Sequence, residues 1–339
     1  MQIEFKKGNN MISKFIDAHV HLNTLSSQKM EKMIEFNSGF LSINTNIPFF
    51  DEIEEQEKII LKLQKKYPGR IKYFTTFNFK KWGTPEFVDD AINQIKRGMD
   101  NGAVGVKIWK DVGFDYHHED GSFVMIDDPV FDPIFDFIQK NKIMLIGHQG
   151  EPRNCWLPLD EMTVDSDRNY FKDHPEYHMF LQKQYPSYEE QMQARDNMLE
   201  KFPEITYVGL HLFSMEWSIK EVAARLEAYP NTLTDVAERV CHLQLQAKDN
   251  WEAVCNFCIK YQDRIIYGTD VIDDGNTPAD EIAARFENLW QFHYDFFATS
   301  KTLSAPEFEG EFKGLNLPKD VVEKIFYTNA KETYGFSDF

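Results

Sequence analysis

The feature that most constrains the fold is an alternation of short apolar runs with amphipathic segments along nearly the whole chain. Runs rich in β-branched and aromatic residues predict buried strands, and apolar residues at helical spacing predict the helices between them. Eight strands are predicted, over residues 15–21, 40–46, 71–77, 103–109, 143–148, 205–211, 232–236 and 264–270. Eight alternating units close naturally into a parallel barrel, so we predict an α/β fold, a (β/α)8 TIM barrel. An open doubly wound sheet is the alternative, although no Gly-rich G-x-G-x-x-G turn follows the first strand.

One long interruption breaks the alternation. Residues 149–187 are crowded with aromatic, proline and charged residues and show no clean period. A connection this long inside a compact domain is typical of a lid or a binding loop. A chain of 339 residues suits one barrel, so we predict a single domain over residues 1–339, distorted by this insertion after strand five.

The formal net charge of −18 argues against nucleic acid and anionic membranes as partners, because both require a basic face. No apolar run approaches the roughly 18 residues that cross a bilayer, and residues 1–10 lack a signal-peptide core. Four cysteines are too few for a disulfide framework in a chain of this length. We therefore expect a soluble, cytoplasmic protein with a small-molecule substrate. Phe296 and Phe297, if exposed, are candidate contacts in a homo-oligomer.

Two histidines one residue apart lie on the first predicted strand. Because side chains alternate faces along a strand, Asp17, His19 and His21 are expected to point the same way. Two imidazoles aimed at a common point form a metal-binding pair. The alternative is a strand on which one histidine is simply buried and hydrogen-bonded, since short patterns have a high false-positive rate.

Further candidate ligands and proton carriers end other predicted strands. These residues are Lys107 after strand four, His148 after strand five, His211 after strand six and Asp270 after strand eight. In a TIM barrel the active site lies at the C-terminal ends of the strands. Taken singly, each residue has a structural alternative: a buried satisfied histidine, a lysine in an ion pair, or an aspartate that caps a loop. Taken together, they favour a metal centre.

On these residues the chain resembles the amidohydrolase superfamily, in particular the amidohydrolase-related (amidohydrolase 2) branch of metal-dependent hydrolases and non-oxidative decarboxylases. The matching stretches are residues 16–21, 102–108, 148–152, 211, 229–231, 268–270, 317–318 and 325–330. They run from the first strand almost to the C-terminus, so the resemblance covers the whole barrel.

The resemblance implies a set of metal ligands: His19, His21, His148 and Asp270. It implies that His211 is either a ligand of a second ion or an acid/base group beside a single one. Lys107 is carboxylated in some superfamily members and bridges two metals, whereas in this branch it often stays an ammonium. We expect one divalent transition metal, with Zn2+ first, because three imidazoles and a carboxylate suit zinc. A second ion through Lys107 and His211 stays open.

The predicted reaction is hydrolysis of an amide, ester or lactone of a small molecule. Asp270 would take the proton from the attacking water, and His211 would stabilise the oxyanion alongside the metal. The first alternative is a non-oxidative, metal-dependent decarboxylase (lyase) that acts on a small carboxylated substrate. A barrel that binds a ligand without catalysis is the second.

Candidate substrate contacts lie close to the barrel mouth. Glu151 and Arg153 follow strand five, and Lys107 ends strand four. The planar guanidinium of Arg153 matches a substrate carboxylate with two hydrogen bonds. A salt bridge within the loop is the alternative.

Overall fold

The computed structural model describes residues 14–339. Its barrel strands are β1 Phe15–Leu22, β2 Ser38–Ile43, β3 Ile71–Phe74, β4 Gly105–Ile108, β5 Met144–Gly147, β6 Tyr207–Gly209, β7 Thr232–Asp235 and β8 Ile265–Ile266. The chain then forms β9 Val271–Asp273 and a hairpin of β10 Thr302–Ser304 and β11 Glu311–Lys313. The α-helices are α1 Gln28–Glu35, α2 Ile53–Lys66, α3 Phe87–Asp100, α4 Asp132–Lys140, α5 Asp165–Asp173, α6 Tyr188–Lys201, α7 Ile219–Ala228, α8 Val240–Asp249, α9 Trp251–Lys260, α10 Ala279–Ala298, α11 Lys319–Glu323 and α12 Asn329–Tyr334.

Hydrogen bonds between backbones close these strands into a ring. Parallel pairing runs β3-β2-β1-β9 in one sheet and β4-β5-β6-β7-β8 in the other. A parallel bridge between Thr75 and Val106 joins the two sheets after β3. At the other seam the N–H of Ala18 donates to the carbonyl of Tyr267 at 3.0 Å. The predicted TIM barrel is therefore confirmed.

An apolar plug fills the barrel below its mouth. It is formed by buried side chains of six strands, with α12 packed against them: Ile16, Leu41, Phe74, Ile146, Val208, Ile266, Ala330 and Tyr334. A second, larger apolar cluster packs the strands against the surrounding helices. The polar residues that end the strands consequently lie on an apolar floor, at the end of the barrel where active sites of this fold occur.

The side chains of β1 switch faces partway along the strand. Ile16 and Ala18 belong to the apolar plug, whereas Val20 and Leu22 pack in the outer layer. The change coincides with a register shift in the pairing of β1 with β2, between residues 17 and 20. A bulge of this kind re-aims the side chains that follow it.

The bulge overturns one expectation about β1. Asp17 does not share a face with His19 and His21, because its carboxylate accepts a hydrogen bond at 2.8 Å from the indole of Trp290 on α10. The period-two prediction failed here because strict alternation assumes an unbroken strand. Of the three residues, only His19 and His21 face the barrel mouth.

The insertion over residues 149–187 is more regular than its sequence indicates. It contains α5 and several short 3-10 turns, and it packs a small apolar core of its own from Phe114, Cys155, Met162, Phe171 and Met179. It ends at Ser187, whose side chain and that of Glu190 form a reciprocal capping box at the start of α6. Its predicted function as a lid stays a prediction.

The C-terminal part of the chain differs from expectation in one surface feature. Phe296 and Phe297 lie on α10 and are fully buried against Phe312 and Phe326, so they are not exposed contacts for a second copy. Cys255 and Cys258 are buried and free on α9.

Within residues 14–339, none of the helices has the length and apolar character needed to cross a membrane.

Candidate metal centre

Three histidine rings at the barrel mouth are held through the same atom, Nδ1. The contacts are His19 Nδ1 to Asp235 Oδ2 at 2.6 Å, His21 Nδ1 to the Ile43 carbonyl at 2.7 Å, and His211 Nδ1 to the Ala237 carbonyl at 2.9 Å. Carbonyl and carboxylate oxygens accept hydrogen bonds, so each Nδ1 carries the hydrogen and each neutral ring keeps a lone pair on Nε2. This is how proteins orient histidines that bind metals.

The free Nε2 atoms converge on the carboxylate of Asp270. Its Oδ1 lies 3.1 Å from His21 Nε2 and 3.3 Å from His19 Nε2. This oxygen is buried, yet it receives no hydrogen bond from any residue in the part of the chain that the structure describes. Lone pairs on two nitrogens and an oxygen repel one another at such distances unless a cation lies among them. The donor set of two imidazoles and a carboxylate therefore fits a divalent transition metal.

The electrostatics of these groups match the protonation states that metal binding requires. Burial lowers the pKa of His21, and burial lowers the pKa of His211 well below its ordinary value. Burial alone would raise the pKa of Asp270, but the surrounding imidazoles outweigh it and hold that pKa well below the ordinary value. The lowered pKa values of His21 and His211 favour neutral rings, and that of Asp270 favours an ionised carboxylate, which are the states that metal binding requires.

The backbone of Asp270 is held in an uncommon conformation with φ of 61°. Its N–H donates to the carbonyl of His19 at 2.7 Å. The preceding residue, Thr269, donates its N–H and its hydroxyl to the carboxylate of Asp17 at 2.9 and 2.8 Å. Asp17 therefore fixes the loop that carries Asp270 and does not join the metal centre itself.

His211 begins a full turn of left-handed backbone. Residues 211–214 have φ values of 56°, 57°, 60° and 53°, and none of them is glycine. Each such residue costs roughly 1–2 kcal/mol, so surrounding contacts must hold the turn. The contacts are an Arg195 guanidinium bond to the Phe213 carbonyl, a Tyr188 hydroxyl bond to the Ser214 carbonyl at 2.7 Å, and a bond from the His211 N–H to Asp235 Oδ1 at 2.5 Å.

His148 lies beside His211, with ring centroids 4.2 Å apart. Its Nε2 is buried and has no hydrogen-bond partner within residues 14–339. Three sets of side chains in this range could gather around one ion: His19, His21 and Asp270; His19, His211 and Asp235; and His211, Glu238 and Asp270. His148 belongs to none of these three sets. The structure brings the other predicted ligands together, and a ligand role for His148 stays a prediction.

Lys107 is buried at the mouth. Burial lowers its pKa to about 7, although the negative charges of Asp270 and Asp235 act in the opposite direction. Near neutral pH a large fraction of such a lysine is an uncharged amine, in contrast to an ordinary lysine. Carboxylation of Lys107 and its contact with substrate stay predictions.

The two loop residues predicted to bind substrate are held differently from each other. Glu151 forms an ion pair with Lys110, and its predicted contact with substrate stays a prediction. The guanidinium of Arg153 stacks on the ring of Trp217, 4.2 Å from its centroid. A guanidinium stacked in this way keeps its hydrogen-bond donors free for a ligand. The role of Arg153 toward a substrate stays a prediction.

Three charged residues at or just after the end of β7 were not predicted from the sequence. Asp235 ends this strand and holds both His19 and His211, while Glu238 and Arg239 follow on the next loop. Arg239 is buried, and its Nε has no hydrogen-bond partner among the described residues. The sequence does carry a signal for these residues, because charged side chains follow the C-terminal end of β7 as they follow the other strands of the mouth.

A closed eight-stranded barrel with histidines and aspartates gathered at its C-terminal mouth defines a TIM-barrel protein with a candidate metal centre. The amidohydrolase family model matches residues 69–336, which is more than half of the chain. The chain belongs to the amidohydrolase family, as the resemblance predicted. No curated protein matches it.

Solved structures share the fold at low sequence identity. A TIM-barrel protein of unknown function from Bordetella bronchiseptica is 15% identical, with a TM-score of 0.52 over 95% of this chain and 98% of that chain. The 5-carboxyvanillate decarboxylase from Sphingomonas paucimobilis is 14% identical, with a TM-score of 0.50 over 93% and 84%. A dihydroxybenzoic acid decarboxylase from Polaromonas, with bound manganese and an inhibitor, is 12% identical, with a TM-score of 0.51 over 95% and 96%.

Proposed function

We propose that the protein is a metal-dependent enzyme that hydrolyses an amide, ester or lactone bond of a small molecule. The observation that carries the proposal is the buried Oδ1 of Asp270, which lies within 3.3 Å of two imidazole lone pairs and receives no hydrogen bond from the described residues. Membership of the amidohydrolase family supports the same reading.

His19, His21 and Asp270 would hold the metal, and His148 is the predicted additional ligand. A divalent ion bound here would act as a Lewis acid and make hydroxide available near neutral pH. Zn2+ is our first choice because the donors are nitrogen and oxygen atoms in a small set. Manganese is the competitor, since the Polaromonas decarboxylase of the same fold holds it.

Asp270 is the residue that we propose to move protons. Its Oδ1 faces the metal ligands, while its Oδ2 lies 3.8 Å from His211 Nε2, beyond hydrogen-bonding distance. Oδ2 is therefore free to accept a proton from the attacking water and to return it to the leaving group. His211 is oriented by its Nδ1–H bond to Ala237, so its Nε2 faces the reacting groups. This ring is neutral at rest, and it would stabilise a substrate oxygen after it takes up a proton during the reaction.

The substrate that we propose carries an anionic group. Arg239 is buried near the centre, and Arg153 of the insertion stacks on the ring of Trp217. The fraction of Lys107 that stays protonated near neutral pH adds a third positive charge. Fixed cationic donors of this kind recognise carboxylates. Glu151 would act indirectly, through its ion pair with Lys110.

Non-oxidative decarboxylation is the second candidate function. Two structures with the same fold are named decarboxylases of aromatic carboxylic acids, and the cationic residues near the mouth suit a carboxylated substrate. In that reaction His211 or Asp270 would deliver the proton that replaces the carboxyl group.

One experiment tests the proposal and separates the two reactions. The purified protein, loaded with Zn2+ or Mn2+, is incubated with a panel of lactones, amides and aromatic carboxylates, and both hydrolysis products and CO2 are measured. Ring opening or amide cleavage that a chelator abolishes supports hydrolysis. Release of CO2 without addition of water replaces our first candidate by the second. A protein that binds no stoichiometric transition metal contradicts both.

We also propose that the partners are limited to a small molecule and further copies of this chain, in keeping with the net charge of −18. A cytoplasmic location is part of the same proposal. Sedimentation of the purified protein at several concentrations tests whether a homo-oligomer forms.

A further inference from the structure

A groove of about 470 Å³ lies apart from the candidate metal centre. Its walls are residues 123–127 of the loop after β4, residues 184–186 at the end of the insertion, and α6. None of the described residues that line it belongs to the candidate centre. A volume of this size lies in the range of small-molecule sites. The proposed function assigns no role to this groove.

One face of α6 forms the floor and one rim of the groove. Glu190, Gln193, Ala194 and Asn197 recur at intervals of three and four residues, which places them on the same side of the helix. Ala194 is buried, whereas the other three residues are exposed. The helix therefore supplies an apolar floor beneath a polar rim.

Two aromatic rings form another wall of the groove. The ring centroids of Phe123 and Tyr185 lie 5.0 Å apart, and the ring planes are inclined by 40°. An antiparallel backbone bridge holds Phe123 to His117, whose ring centroid lies 4.2 Å from that of Phe123. Phe123 and Tyr185 both stay partly exposed. The faces of such rings attract cations, and Met125 and Pro186 add apolar surface beside them.

Two carboxylates in the groove carry negative charge that no basic side chain of residues 14–339 neutralises. Oδ2 of Asp127 accepts a hydrogen bond from the amide of Asn197 at 2.8 Å. Oε2 of Glu190 accepts from the N–H and the hydroxyl of Ser187 at 2.7 and 2.8 Å, and these bonds lower the pKa of Glu190. The second oxygen of each carboxylate is therefore available to a ligand.

We propose that this groove binds a small organic ammonium ion with an apolar substituent. The carboxylates attract the positive charge, and the aromatic rings cover the apolar part of the ligand. Lysine, arginine and histidine are absent from the described residues that line the groove, so nothing there repels a cation. A neutral apolar molecule would gain nothing from the carboxylates, and a hydrated metal ion would leave the apolar walls unused. The combination of the two surfaces selects the class of ligand.

The test is titration calorimetry of the purified full-length protein with benzyltrimethylammonium, whose quaternary nitrogen cannot coordinate a metal ion. We expect saturable binding with a Kd on the order of 1 mM or tighter, as for a ligand of this size. Benzyl alcohol, which keeps the ring and lacks the charge, should bind at least about tenfold more weakly. Higher ionic strength should weaken binding of the cation and leave binding of the alcohol unchanged.

The variants are chosen to keep the local structure of the groove. Glu190→Gln removes the charge but keeps the capping box, in which glutamine forms the same reciprocal bond. Asp127→Asn keeps an oxygen for the amide of Asn197. Each should weaken binding of the cation about two- to fivefold, and the double variant about tenfold. Phe123→Leu, which keeps apolar bulk and loses the ring, should weaken it about two- to fivefold.

Glu189→Gln is the matched control. Glu189 is exposed and adjacent to Glu190 on α6, but it does not line the groove. This variant loses the same charge and should bind the cation as the wild type does. None of the substitutions changes Tyr188 or Arg195, which hold the left-handed turn that contains His211.

Four outcomes would overturn the proposal. Equal affinities for benzyl alcohol and the cation would remove the role of the carboxylates. Binding by the double variant that equals the wild type would place the cation elsewhere on the protein. A loss in Glu189→Gln as large as that in Glu190→Gln would assign the attraction to the general negative charge of the surface. A lack of saturable binding at millimolar concentrations would remove the site altogether. All four leave the proposed metal-dependent function standing, because the groove shares no residue with the centre.

Discussion

Asp235 joins His19 and His211 although 216 residues separate it from the first of them in the sequence. Its Oδ2 lies 2.6 Å from Nδ1 of His19, and its Oδ1 accepts the backbone N–H of His211 at 2.5 Å. One carboxylate thus fixes the ring orientation of one histidine and the backbone position of another. Outer groups of this kind typically contribute 10- to 100-fold to metal affinity.

Asp235→Asn should therefore weaken metal binding by about 10- to 100-fold while the barrel still folds. The amide can accept only one of the two hydrogen bonds, and its NH2 group is placed against a donor. The measurement is competition with a chromophoric chelator, with Asp263→Asn, an exposed aspartate, as the matched control. Equal metal affinities in the two variants would show that Asp235 does not orient the ligands.

Arg195 stabilises the left-handed turn of residues 211–214 from α6. It is 1% exposed, and its guanidinium donates to the carbonyl of Phe213 and pairs with Asp196. Arg195→Met should lower the free energy of unfolding by about 3–5 kcal/mol, because a buried charge pair loses one partner. Denaturant unfolding measures this change.

Arg195→Lys separates stability from positioning. The ammonium keeps the charge but loses the fork that contacts both Phe213 and Asp196, so we expect a smaller loss of stability and a shift in the visible spectrum of the Co2+-loaded protein. An unchanged Co2+ spectrum together with lowered stability would mean that Arg195 supports the fold and not the position of His211.

The barrel was predictable from the sequence because each strand is a short apolar run between helices of clear period, and both signals are local. The position of the candidate centre was predictable as well, because the C-terminal ends of parallel strands lie together at one mouth of the barrel. His19, His21 and Asp270 were predicted in this way and lie close together in the structure, while their role as ligands stays a prediction. Asp235 and Glu238 satisfy the same rule at the end of β7, although neither was predicted.

Other features depend on contacts that are distant in sequence. The left-handed turn after β6 contains no glycine, and it is held by hydrogen bonds from Arg195 and Tyr188 to its carbonyls and from the His211 N–H to Asp235. The bulge in β1, which separates Asp17 from His19, is a matter of register against a neighbouring strand. The helix within the insertion packs against residues from outside it. No periodicity in the local sequence carries this information.

Metal binding should stabilise the fold measurably. An ion that binds only the native state adds about 2.7 kcal/mol at a free concentration one hundred times its Kd, so the melting temperature should rise when Zn2+ or Mn2+ is added to chelator-treated protein. His21→Gln, which removes one Nε2 ligand, should show little of this rise. A melting temperature that increases equally in wild type and variant would place the stabilising ion elsewhere on the protein.

His293 should make stability depend on pH without any metal. This residue is buried on α10, where Nδ1 accepts a hydrogen bond from the Tyr267 hydroxyl at 3.1 Å, and burial lowers its pKa to about 3. Below pH 6.5 the unfolded chain binds a proton at this position and the native protein does not, so stability falls as the pH decreases toward 3. The free energy of unfolding should be about 2 kcal/mol lower at pH 5 than at pH 7.

His293→Gln, which can still accept the Tyr267 hydrogen bond, should flatten this part of the curve of unfolding free energy against pH. Parallel curves for the wild type and the variant between pH 7 and pH 5 would show that His293 is protonated equally in both states.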